Sequence, residues 1–235
     1  MFSHRITRSV AIGATAIVIG GGAYSILSAT ASTGSGTGTT AAPISARSAQ
    51  RVLGGGGNAR SGPAAGGSVG KVSGVSTSVF ALLTSAGEKV TVKETPSTRY
   101  AAGAHAASAS AVAKGKTALV LGTTNSTTIT ATLVIVQPTN SGSKTSSKVI
   151  PFKPGTPSTS KQVGQIPINY RQGFGSVVSG APANKATRAA LAAYPGGIVD
   201  RVVKLSNGEY EAHNIGVNWP HHIFVNQGFK VVGAD

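Results

Sequence analysis

Three histidines lie near one end of the chain, His213, His221 and His222, with Glu209 and Glu211 on the same stretch. Imidazoles beside carboxylates are the donor set of a Zn²⁺ or Cu²⁺ site. The spacing argues against one. Adjacent residues of an extended chain point to opposite faces, so His221 and His222 diverge, and the chain has no His-x-His or His-x-x-x-His pair. A polar turn after Trp219-Pro220 with its histidines at the surface is the plainer account. No metal and no cofactor is expected.

The requirements of catalysis are not met either. There is no G-x-S-x-G elbow, and Gly173-Phe174-Gly175-Ser176 has the wrong spacing. Cysteine is absent, which excludes a thiolate nucleophile, a disulfide framework and a Cys metal site. The run Gly54-Gly55-Gly56-Gly57 lacks the G-K-[ST] ending of a phosphate loop. The chain holds six acidic residues; Glu88, Glu94, Asp200, Glu209 and Glu211 sit in strand-like contexts near Lys or Arg, the pattern of cross-strand charge pairs. A non-enzyme is expected. The lone Trp219 offers two readings: a buried aromatic pair with Phe224, which is favoured, or an exposed groove in which Trp219 and Tyr210 hold a partner peptide.

These residues need a scaffold, and 184–235 reads as one. Asn184 suits an N-cap, and Thr187, Ala190, Leu191 and Tyr194 share one helical face. Pro195-Gly196-Gly197 ends the helix. Residues 198–205 (IVDRVVKL) are β-rich, with Val199, Val203 and Leu205 on one side and Asp200, Val202 and Lys204 on the other. Asn207-Gly208 predicts a type I′ hairpin turn into a return strand over 209–216. Strands at 223–226 and 229–232 complete the unit. Helix, YPGG, IVDRVVKLSNGEYEAH and the tail VNWPHHIFVNQGFKVVGAD together resemble the PepSY-type domain of bacterial exported and membrane proteins. The resemblance implies an extracytoplasmic module that binds or inhibits proteases or other protein partners, without catalytic residues.

Upstream, 68–136 is all β by pattern. Short strands at 69–75, 78–84, 88–95, 117–123 and 127–136 predict a small barrel or sandwich. The frame Gly70-Lys71-Val72, Val90-Thr91-Val92, Thr98-Arg99-Tyr100, Lys114-Gly115 and Val120-Leu121-Gly122-Thr123 resembles a bacterial exported domain with an OB-like β-barrel; Lys116 stands where many members carry an acidic residue. OB barrels that bind nucleic acid present stacking aromatics, and only Phe80 and Tyr100 are available, with Phe80 assigned to the core. Nucleic acid is not an expected partner.

The remaining segments set the address. Residues 1–31 read as a transmembrane anchor or a signal peptide: Arg5 and Arg8 precede an uncharged run over 10–29, and Ala29-Thr30-Ala31 allows cleavage after Ala31. Residues 32–67 are a Gly/Ser/Thr linker and 137–183 a linker with six prolines, in which Ile166, Ile168, Tyr170 and Phe174 are candidates to dock on a neighbouring domain. The expected fold class is mainly β with a small α+β C-terminal domain. The location is the cell membrane, single-pass with the C-terminus outside, or secretion. The net charge is +15, but 184–235 holds five basic against four acidic residues, so the excess lies upstream. Association of the basic linkers with anionic wall polymers or lipids is the alternative to an envelope protein partner.

Overall fold

The computed structural model describes residues 63–138, 149–155 and 160–235. All belong to the unit Gln50–Asp235. The expected anchor or signal, most of the first linker and part of the second lie outside the described residues.

The chain is mainly β. The described residues open with β1 (Ala64–Ser76), β2 (Val79–Leu83) and β3 (Lys89–Lys93), then a hairpin of β4 (Arg99–Ala102) and β5 (His105–Ala107), a 3-10 turn at Ala109–Ala111, and the long pair β6 (Thr117–Asn125) and β7 (Thr128–Val136). β1, β2 and β3 pair antiparallel in sequence. β3 pairs parallel with β7, β7 antiparallel with β6, and β6 returns to β1, closing a five-stranded barrel. Phe80, Leu82, Val90, Val92, Val120 and Ile129 fill it. Phe80 is core, as its alternation in VFALL requires. β1 starts at Ala64, earlier than the composition of a linker suggested, because Gly66 and Gly67 lie between two strands rather than in a tether.

The rest of the chain builds on the barrel. Three two-residue strands, β8 (Ile150–Pro151), β9 (Val163–Gly164) and β10 (Ser176–Val177), precede the helix α1 (Gly180–Ala193). Then come β11 (Ile198–Lys204), β12 (Tyr210–Ile215), β13 (Val217–Trp219), β14 (His222–Val225) and β15 (Val231–Ala234). The antiparallel order β11–β12–β14–β15 forms a sheet with α1 on one face. β1 joins the barrel to it through Gly67↔Val199 and Ser68↔Ile198. Ser68 Oγ donates to the Gly197 carbonyl at 3.0 Å. The apolar run of β6 is buried on both faces: Val120 points into the barrel, whereas Leu119 and Leu121 point outward into the core around α1.

Four local expectations are corrected. The helix begins at Gly180, not at an Asn184 cap; Pro182 falls in its first turn, where its missing N–H has no intrahelical partner to lose. The turn after β11 is not type I′. Only Gly208 has positive φ, Gly208 N–H bonds to Leu205 O at 3.0 Å, and Asn207 keeps an ordinary φ while its Oδ1 accepts the Glu209 N–H. A bulge between Val199 and Arg201 breaks the alternation of β11, so Val199 and Val202 both face the helix. The strands expected at 223–226 and 229–232 run His222–Val225 and Val231–Ala234, with Phe229 at φ 57° in the turn between them.

Candidate functional site

The face of the β11–β15 sheet opposite α1 carries the chemistry. Side chains alternate along β12, so Tyr210 and Ala212 meet the helix while Glu211 and His213 face away. Register sets Val203, Glu211 and Phe224 in one cross-strand row and Arg201, His213 and His222 in the next. Residues 165–175 run between β9, which pairs with β15 at one edge, and β10, which pairs with β11 at the other. This strap lays Tyr170 over the face: its ring meets Phe224 edge-on at 4.7 Å and His222 at 5.6 Å.

Two imidazole–carboxylate pairs lie on this face, one of them beneath Tyr170. His222 Nδ1 is 2.7 Å from Glu211 Oε1, with the Tyr170 hydroxyl 3.0 Å from the same nitrogen. His213 Nδ1 is 2.7 Å from Asp200 Oδ1. Arg201, 5% exposed, sets its Nη1 3.4 Å from Asp200 Oδ2 and joins the same carboxylate. The two rings stand 5.3 Å apart. Glu211 is 1% exposed and His222 8%. Burial raises the Tyr170 phenol well above its ordinary range, and the Glu211 charge adds to this, so the hydroxyl keeps its proton.

The expected residues divide accordingly. His213 and His222 meet on this face. His221 does not: its backbone bonds to Asn214 and Asp235, and burial lowers its pKa below the usual histidine value, against the Asn214 backbone bond that raises it. The histidines are therefore not a surface turn, because β14 begins at His222 and tucks that side chain inward. Trp219 and Tyr210 line no open groove, which corrects that reading. Trp219 is 3% exposed, donates its Nε1–H to Lys161 O at 2.6 Å, and packs edge-on to Tyr194 at 5.5 Å. Tyr210 stacks on Phe229 at 5.3 Å. Both belong to the core around α1. Among the described residues no group of three or more His, Asp or Glu side chains is placed to hold a metal ion, and no helix is long and apolar enough to cross a membrane.

Of the four residues expected to dock, Tyr170 does, whereas Ile168 and Phe174 stay exposed; Asp200 and Arg201 carried no signal in the sequence that placed them on this face. The i, i+2 spacing of Glu211 and His213 was the signal available for a polar face on β12. Beside the strap opens a cleft of about 1270 Å³ against the β11–β12 turn, bordered by Ile168, Arg171, Phe174 and Lys204. No family model matches this chain, and no curated protein or solved structure matches it.

Proposed function

We propose that the chain is a non-enzymatic binding or regulatory module of the cell envelope, tethered outside the membrane and directed at proteases or other protein partners. On this reading the barrel is OB-like and the helix with its sheet is PepSY-like. The strand order β1–β2–β3–β7–β6–β1, with its parallel β3–β7 contact, supports the first. The helix over an antiparallel sheet supports the second.

One observation carries the functional reading. The imidazoles and carboxylates of the sheet face are paired with each other, Glu211 and His222 buried beneath the strap and His213 and Asp200 partly buried, whereas the open concavity beside the strap is bordered by exposed apolar and basic side chains. Reaction chemistry needs a nucleophile or base within reach of substrate. Protein recognition needs accessible apolar anchors with a polar surround. The test is chemical crosslinking in intact cell envelope with the full chain as bait. Specific protein adducts are expected; an adduct profile identical to that of an unrelated exported control protein removes the proposal.

A further inference from the structure

The cleft between the strap and the β11–β12 turn has a composition that specifies an occupant. Ile168 is fully exposed and Phe174 about half exposed, both at its border, while Ile166 and Leu205 are partly buried in its wall. Its two cations, Arg171 and Lys204, enter no ion pair among the described residues. Arg171 lies over the Phe174 ring at 5.9 Å. The one acidic side chain of the border, Glu209, accepts from Asn207 Nδ2 at 2.8 Å. Single exposed apolar residues are ordinary; here two of them share one concavity with two cations. At about 1270 Å³ the cleft exceeds the roughly 300–1,000 Å³ of small-molecule sites.

We propose that this cleft seats an extended acidic segment of a partner protein, with apolar side chains on Ile168 and Phe174 and carboxylates at Arg171 and Lys204. The proposal rests on the binding-module reading above and names the partner's chemistry. Charge complementarity sets the sign: the border holds two cations against one carboxylate, and the whole chain at +15 attracts acidic partners over distance. The concave form favours a polypeptide over an anionic surface. A flat bilayer or wall sheet reaches only the rim, whereas an extended chain enters between strap and turn and meets the backbone and amides of Gln165 and Asn169.

The test uses the purified full chain and a fluorescein-labelled hexapeptide of alternating Asp and Val, with the Lys/Val hexapeptide as its charge-reversed counterpart. Fluorescence anisotropy is expected to show saturable binding of the acidic probe, at least tenfold tighter than the basic one. The pair Arg171→Glu and Lys204→Glu, and separately Ile168→Asp, should each weaken it at least tenfold. Val75→Asp, an exposed apolar residue on β1, should leave it unchanged. All these side chains are exposed, and unaltered thermal melts certify the variants as folded. Equal affinity for both probes, no saturable binding, or affinity indifferent to the cleft variants overturns the proposal. So does sedimentation with phosphatidylglycerol vesicles that depends on Ile168, which assigns the patch to an anionic surface. A photo-crosslinking residue placed at Ile168 or at exposed Leu83 separates this failure from that of the broader reading. Envelope protein adducts from Leu83 alone remove the cleft but keep a binding module, and adducts from neither position remove both.

Discussion

Glu211 and His222 sit on neighbouring strands, β12 and β14, two residues out of register, and still meet at 2.7 Å between Oε1 and Nδ1. The contact is diagonal, within reach of a long side chain across an antiparallel pair. The strap closes it from water with Tyr170. A buried carboxylate in such a place keeps its polar partners or destabilises the fold.

Glu211→Ala therefore removes a buried hydrogen bond to a charged group and should cost roughly 1.5–3 kcal/mol. Glu209→Ala, two residues along and on the turn, should stay within about 0.5 kcal/mol. Urea unfolding followed by circular dichroism compares the two. Equal costs would mean that the Glu211 contact does not stabilise the sheet.

The phenols carry an alkaline prediction. Burial first, and then the Glu94 hydrogen bond at 2.8 Å, pushes Tyr100 up to about 12; Tyr170 is raised too. Each folded pKa lies above the unfolded value of about 10, so these groups favour the unfolded state once it can ionise. Their contribution is intact below pH 10; that of Tyr100 is lost as pH rises from 10 through about 12, and that of Tyr170 goes on falling beyond it. Absorbance at 295 nm should show a late ionising fraction in the folded protein that denaturant restores to a midpoint near 10. Tyr170→Phe should remove part of that fraction.

At acid pH, His221 acts in the opposite range. Burial holds its folded pKa below the ordinary value of about 6.5, so between the two the unfolded state binds the extra proton. The contribution of His221 is intact above pH 6.5 and is lost as pH falls through the folded pKa. His221→Gln should flatten this part of the stability–pH curve. An unchanged slope between pH 6.5 and 4.5 would assign the loss to other groups.

The seam between barrel and sheet depends on close backbone approach. A Cβ at Gly66 would collide with the Val199 carbonyl oxygen, so Gly66→Ala must push β1 from β11 and should cost roughly 1–3 kcal/mol. Gly74, on the same strand, has nothing within 4 Å of its Cβ position. Gly74→Ala should change stability by no more than about 0.5 kcal/mol. Thermal melts of the two variants read the difference directly.

Trp219 reports the core around α1. As the single tryptophan, buried and edge-on to Tyr194, it should emit at short wavelength and resist acrylamide quenching until the protein unfolds. Trp219→Ala should cost roughly 3–5 kcal/mol. Emission and quenching like those of free indole in the folded protein would contradict its burial.

What the chain determined alone is what local pattern controls. Alternation in VFALL and KVTVK placed Phe80, Val90 and Val92 inside a small β unit, and YPGG ended a helix before a β-rich run. Both follow from side-chain period and backbone sterics within a few residues. Tertiary structure decided the rest, because the partners lie far apart in sequence. Ser68 meets Gly197 across 129 positions, and the second apolar face of β6 acquires a purpose only when α1 covers Leu119 and Leu121. The bulge after Val199 turns Arg201 toward His213, and a segment with the composition of a linker brings Tyr170 to His222. Alternation along one strand names the two faces; only pairing and coverage by distant segments decide which groups share a face and which of them water can reach.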